Sequence, residues 1–356
     1  MNKTKEVLDR HIAKQRAVMY KPIQIAEILY RCRVGELAIS DIENNPEKYR
    51  NLSKRWRDDV SLQLINQRST SSQKFQDNIF EPNAMPPSVI SILAKHNNAN
   101  NGIVERYIYQ QFWARQEAIR NLWEFILQKD QRTFRLDEFL DLFRRDKKMK
   151  RSIDKAYEIV VYALFNALVR ELKITITIQA DKSQIDLLKE FEEFANLVLG
   201  IDSKHPNISM PARLYRAGLS NAADKGLDMW ANFGLAIQVK HLTLTEELAE
   251  DIVDETTADK VLIVCKDSEK ETIEKVYKQL GVGGRVQGIV TQTHLISWYE
   301  NALRGKFSKT VGSTLIESLK TEFQTEFPYS TTFMDFFKKR GYQKIKKTSS
   351  PFWLEN

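Results

Sequence analysis

The sequence predicts an α/β fold, with a mixed β-sheet core preceded by a mainly α-helical N-terminal region. Three observations predict it. Up to about residue 172, apolar residues recur at helical spacing. At Lys173-Ile174-Thr175-Ile176-Thr177-Ile178 the pattern changes to β-branched alternation with period two, which reads as a strand. Beyond it, short apolar runs alternate with amphipathic segments, the order of strands and helices in a mixed sheet layer.

Taken in order, Pro22 opens a helix carrying Ile23, Ile25, Ala26, Ile28 and Leu29, because proline suits a first turn. Asp59 to Ile65 is helical in pattern and runs into the polar stretch 66–74. Turn signals follow at Glu81-Pro82-Asn83 and Pro86-Pro87, and a second loop at 96–102. Val104 to Leu127 is an aromatic-rich helix whose Tyr107, Phe112, Trp113, Trp123 and Phe125 are read as core. A basic run from Arg144 to Arg151 leads into an apolar helix, Ile153 to Leu172. After the first strand, Ile185 to Leu199 reads as an amphipathic helix stopped by Gly200. A hairpin spans 225–240, and Glu246 to Asp259 is an acidic helix or loop. Strand Val261–Cys265, helix Ser268–Leu280, strand Val286–Val290 and helix Leu295–Leu303 complete the layer. The tail from Thr310 is helical and ends in a basic stretch around Lys338-Lys339-Arg340. Three segments are therefore expected: a helical region at 1–172, a sheet core at 173–305 and a basic helical extension at 306–356.

Of the 356 residues, 42% are hydrophobic, enough for a packed core and against wholesale disorder. Lysine and arginine number 54 against 47 acids, and the net charge of +7 favours a polyanionic partner. Cys32 and Cys265, far apart, exclude a disulfide framework and a cysteine-based zinc site. Cys265, inside Val261-Leu262-Ile263-Val264-Cys265, is expected as a buried reduced thiol. The charged N-terminus lacks the apolar centre of a signal peptide, and no apolar run approaches the ~18 residues of a membrane span. A soluble cytoplasmic protein without membrane contact is expected.

The chemistry concentrates at 225–240. Asp228 opens a strand, Asn232-Phe233-Gly234 turns the chain, and the returning strand ends in Gln238-Val239-Lys240. Phosphodiester hydrolysis needs an activated water and neutralisation of growing negative charge, which a bound Mg²⁺ supplies. Magnesium takes hard oxygen ligands, typically one or two carboxylates. Asp228 offers one, and a hairpin brings the neighbouring strand within ~4.8 Å. Gln238 and Lys240, two apart, project from one strand face, while Val239 points the other way. Lys240 is placed as the cation for the attacking water or the scissile phosphate.

This arrangement resembles the active site of the PD-(D/E)xK nuclease superfamily, in which an acid begins a hairpin and an acid-x-Lys follows on the next strand. The chain departs from that pattern at two points: Leu227 replaces the proline, and Gln238 replaces the second carboxylate. The resemblance directs the search for a further carboxylate to the preceding helix. Glu193 is preferred there, since Glu190 and Glu193 share a face and Glu193 is nearer the hairpin; Asp224 is the other candidate and a solvated helix face the plain alternative. The expected metal set is then Asp228, Gln238, Val239 and Glu193, and the expected catalytic set is Asp228, Gln238, Lys240 and Glu193.

The wider text, Asn221 to Trp230 running on to Gln238-Val239-Lys240-His241-Leu242, is similar to type II restriction endonucleases of the HaeII family. Tyr20 to Leu29 and Ser69 to Asp77 share the likeness. It implies a Mg²⁺-dependent endonuclease that cuts double-stranded DNA at a short palindrome with a GCGC centre. It also implies a cognate DNA methyltransferase and a homodimer whose symmetry mirrors the site. Base reading in the major groove uses Arg or Lys on guanine and Asn or Gln on adenine. Arg68, Ser69, Thr70, Ser72, Gln73, Lys74 and Gln76 concentrate such groups and are the first candidates for DNA contact, a capped surface loop being the alternative. The basic runs near Arg144 and Lys338 are expected to meet phosphates. Two other readings stand beside this one: a structure-specific DNA-repair nuclease of the same fold, and a non-catalytic sequence-specific DNA-binding regulator.

Overall fold

The computed structural model describes residues 2–15, 18–69, 85–217, 227–240, 258–279, 285–345 and 353. Their fold is mixed α/β, as expected, with the sheet in the C-terminal half. They divide into two compact units. One draws on Met1–Tyr157 and Lys320–Asn356, the other on Glu158–Ala217 and Lys225–Leu319.

The first unit is helical. Its central helix, Tyr20–Arg33, buries Ile23, Ile25, Ala26, Ile28 and Leu29 completely. A helix apolar around most of its circumference must be enclosed by others. Helices Glu47–Ile65, Pro87–Ala99 and Ile103–Gln128 pack against it. Tyr107 and Phe112 are core residues, as their aromatic spacing suggested.

The C-terminal segment departs from expectation. It is helical at Ser313–Glu326 and Phe333–Lys339, and Phe333, Phe336, Tyr342 and Trp353 sink into the same core as the N-terminal helices, which its basic composition did not indicate. Arg340 goes with them. Its guanidinium lies 3.4 Å from the centre of the Tyr30 ring and donates to Glu27 Oε2 at 2.9 Å. Glu27 also accepts from Tyr109 Oη at 2.6 Å. Arg340 is therefore a half-buried structural cation, whereas Lys338, Lys339 and Lys344 are exposed. Arg144 is likewise engaged, with Asp141 and the Tyr157 hydroxyl, each at 2.8 Å.

The second unit contains both sheets. Strands β1 (Thr175–Gln179) and β2 (Asn207–Pro211) form an antiparallel pair apart from the main sheet. One face of the pair is polar, with Thr177 Oγ1 and Ser209 Oγ 2.8 Å apart. The other carries Ile176, Ile178 and Ile208. Residues 185–199, expected as one helix, are broken into Ile185–Glu190, Glu192–Phe194 and a π-turn at Ala195–Leu199. The extra residue of a π-turn shifts the apolar stripe around the axis. Leu188 and Ala195 can then face β1–β2 together with Ile201, while other apolar side chains of the segment point outward. Gly200, at φ +71°, ends the segment as predicted.

The main sheet has five strands in the order β3 (Leu214–Arg216), β4 (Met229–Ala231), β5 (Leu235–Lys240), β6 (Lys260–Cys265) and β7 (Val286–Thr291). The β3–β4 and β4–β5 pairs are antiparallel; β5–β6 and β6–β7 are parallel. β5 and β6 are rich in buried Ile, Val and Ala, as a strand covered on both faces requires. Helix Gln292–Arg304 follows β7, capped by Thr291 and His294.

Candidate active site

The hairpin β4–β5 is held by its turn. Gly234 has φ +82°, a left-handed conformation that favours glycine, and a Cβ there would lie 2.8 Å from Asp259 Oδ2 and push that carboxylate aside. Asn232 ties the turn to the chain entering β3: its Oδ1 accepts from Arg213 N at 2.8 Å, and its Nδ2 donates to the Pro211 carbonyl at 3.1 Å. The register pairs Met229 with Ile237 and Trp230 with Ala236. Continuing it by one step sets Asp228 opposite Gln238. Directly opposed residues share a sheet face, and Lys240, two further on, shares it as well.

The Asp228 carboxylate reaches back to β5. Its Oδ2 accepts from the Val239 backbone N–H at 2.7 Å, and its own carbonyl accepts from Ala217 N at 2.8 Å. The acid is thus fixed at both ends, with one carboxylate oxygen turned by the neighbouring strand. Gln238 is 1% exposed, Val239 and Lys240 are half-buried, and Lys240 makes no hydrogen bond or ion pair among the described residues. On the opposite face of the sheet, Arg216 and Glu158, both buried, lie 3.8 Å apart and stiffen β3.

Three expected residues, Asp228, Gln238 and Lys240, thus gather on one face of the hairpin. Val239, the fourth expected residue, takes part through its main chain, its half-buried side chain lying on the other face of the strand. Glu193 is exposed on the short helix beside β1–β2 and forms no hydrogen bond or ion pair among the described residues. Its neighbour Glu192 is engaged by Ser203, whose Oγ donates at 2.7 Å. Asp267, just past β6, is the acid at the same sheet edge as Lys240. It accepts from Thr293 N at 3.3 Å, at the start of the last sheet-flanking helix. Partial burial pushes its carboxyl up, but bonds from Thr291 and Thr293 outweigh this and hold it below the usual range. Among the described residues, no three His, Cys, Asp or Glu side chains are grouped to hold a metal ion. Both thiols are buried and inert; burial, with Asp267 and Glu269 nearby, pushes Cys265 up to about 11.

The expected DNA-contact run is only partly described. Arg68 is exposed and lies 3.8 Å from Asp59. Ser69, by contrast, is buried: its hydroxyl donates to Asp58 Oδ1 at 2.6 Å and accepts from the buried Arg57. It is committed to the helical core because a buried Arg–Asp pair needs further hydrogen bonds. Thr70, Ser72, Gln73, Lys74 and Gln76 lie outside the described residues.

The model of the HaeII restriction endonuclease family matches residues 4–342, nearly the whole chain. The chain belongs to the HaeII restriction endonuclease family. It is 47% identical over 342 residues to the type II restriction enzyme HaeII of Haemophilus aegyptius, covering 96% of each chain. It is 48% identical over 342 residues to the type II restriction enzyme NgoBI of Neisseria gonorrhoeae, covering 95% of this chain and 96% of the relative. No solved structure matches. No helix among the described residues is long and apolar enough to cross a membrane.

Proposed function

We propose that this family member, a type II restriction endonuclease, makes Mg²⁺-dependent double-strand cuts in DNA at a short palindromic, GC-rich site with a GCGC centre. The observation that carries the catalytic assignment is the bond from Val239 N to Asp228 Oδ2. It pins the acid against the strand that bears Gln238 and Lys240. The donor set suits a hard cation: a carboxylate oxygen of Asp228, the Gln238 amide oxygen, and the Val239 carbonyl, which leaves the strand on the same side as its N–H. A bound Mg²⁺ supplies water activation and charge neutralisation there. Asp228 and Gln238 hold it, and Val239 N–H keeps the acid's orientation. Lys240 presents its ammonium to the scissile phosphate or the attacking water. Glu193 is the remaining candidate for a second carboxylate. Arg68 and the segment after it are proposed to read bases, with Ser69 as the anchor of that segment. A homodimer and a cognate methyltransferase complete the proposed system.

Mg²⁺ digestion of plasmid DNA of known sequence, with fragment ends mapped, tests the proposal. Discrete fragments with common ends are expected; smears or damage-dependent nicks would indicate a structure-specific nuclease, and tight binding without cutting a regulator. Asp228→Ala and Lys240→Ala should each lower the cutting rate by about 10³-fold or more while DNA binding in Ca²⁺ persists. Wild-type cutting by either variant would remove the assigned site. Glu193→Ala should raise the Mg²⁺ concentration needed for half-maximal rate if Glu193 completes the set.

A further inference from the structure

The second unit carries a surface that hydrolysis does not use. In the segment 185–199, Leu187, Phe191, Phe194 and Val198 recur at intervals of three and four residues, with Leu197 and Leu199 next to Val198. All six are between 41% and 79% exposed. Beside these residues, Leu188 and Ala195 pack with Ile201 and with Ile208 of β2. The apolar surface of the segment is therefore wider than what β1–β2 covers. Leu187, Leu188, Phe191, Phe194 and Leu199, with Ile178 from β1, line a groove of about 650 Å³, and Leu197 and Val198 are exposed outside its lining.

We propose that this face is the homodimer interface, and that a second copy of this chain covers it. The inference deepens the reading of a palindrome-cutting enzyme and rests on it for its purpose. The six residues keep between two-fifths and four-fifths of their surface exposed, together a patch on the order of the 300–600 Å² that marks the largest, often functional, patch of a monomer. A patch of that order is enough for the apolar centre of a standard interface, in which each partner buries ~800 Å². The groove and the exposed Leu197 and Val198 belong to one segment, so two copies related by a two-fold axis can each seat these side chains in the other's groove. Asp186, Glu190 and Glu193 border the face, a sign of charge that disfavours a DNA backbone as its occupant.

The face is also wired to the hairpin. β2 leads directly into β3, and Asn232 of the β4–β5 turn bonds both Pro211 and Arg213 at that junction. Pairing through this lobe therefore sets the separation of two copies of Asp228 and Lys240, which a cut in both strands requires.

Sedimentation velocity of the full-length chain at micromolar concentration tests this without DNA or Mg²⁺. The wild type should sediment as two chains. Leu197→Glu with Val198→Glu, and separately Phe194→Glu, should sediment as one chain, with dimerisation weakened at least about 100-fold and unchanged far-ultraviolet circular dichroism. Leu127→Glu, an equally exposed leucine in the other unit, should leave the dimer intact. A monomeric wild type, a dimer that survives both variants, or a control that dissociates as readily would each overturn the assignment. Because the readout is mass, a dimer that dissociates as described yet cuts no DNA would support the interface and count only against the nuclease reading.

Discussion

Replacing Gln238 by glutamate puts the facing of Asp228 and Gln238 to a quantitative test. The register sets the two opposite one another, and Cβ atoms of directly opposed residues lie about 5 Å apart. Two unit charges at about 5 Å, with an effective dielectric constant of about 20, repel by about 3 kcal/mol. Position 238 is 1% exposed, so solvent screens little of this. In chelator near neutral pH, Gln238→Glu should therefore be less stable than the wild type by about 2–3 kcal/mol. At about 2–4 °C per kcal/mol for a chain of this size, the midpoint falls by roughly 5–10 °C. The loss should shrink as pH drops and one of the two carboxyls takes up a proton. Mg²⁺ should reverse it, since a cation between two carboxylates binds the folded state more strongly than one beside a carboxylate and an amide. The assay is thermal unfolding with chelator and with excess Mg²⁺. Equal midpoints for variant and wild type in chelator would refute the facing of the two side chains. An equal gain from Mg²⁺ in both would refute their sharing a cation.

Two further outcomes follow from the geometry. Gly234→Ala forces a left-handed residue with a Cβ against Asp259, and should cost about 2 kcal/mol in urea unfolding. Arg340→Met leaves Glu27 buried without its cation and should cost about 3 kcal/mol near pH 8. Burial already pushes the Glu27 carboxyl up, with Arg340 and Tyr109 opposing. Without Arg340 its folded-state value rises further, so the variant's deficit should be smallest below the ordinary carboxyl range and grow as pH rises; a deficit independent of pH would count against this account.

The sequence by itself determined the class of fold, the strands β1, β4, β5, β6 and β7 and the three side chains that share the hairpin face. These follow from local rules: apolar period, turn residues, and the two-residue repeat that puts Gln238 and Lys240 on one side. By contrast, β2 and β3, which the sequence did not mark, and the order of the strands in the sheet came from tertiary pairing. Side-chain engagement belonged to tertiary structure. Ser69 and Arg340 read as surface groups because polar and basic residues usually are, yet Ser69 is buried and Arg340 half-buried where a distant partner, Asp58 or Glu27, satisfies each. The course of 185–199 was equally illegible: its apolar residues suit one long helix, yet it is broken at Phe191 and wound as a π-turn from Ala195, with Leu188, Ala195 and Ile201 packed together and the neighbouring apolar residues exposed. Val239 shows the same division at the site itself. Its side chain announces a core strand, while its amide proton, which no residue letter encodes, orients the acid.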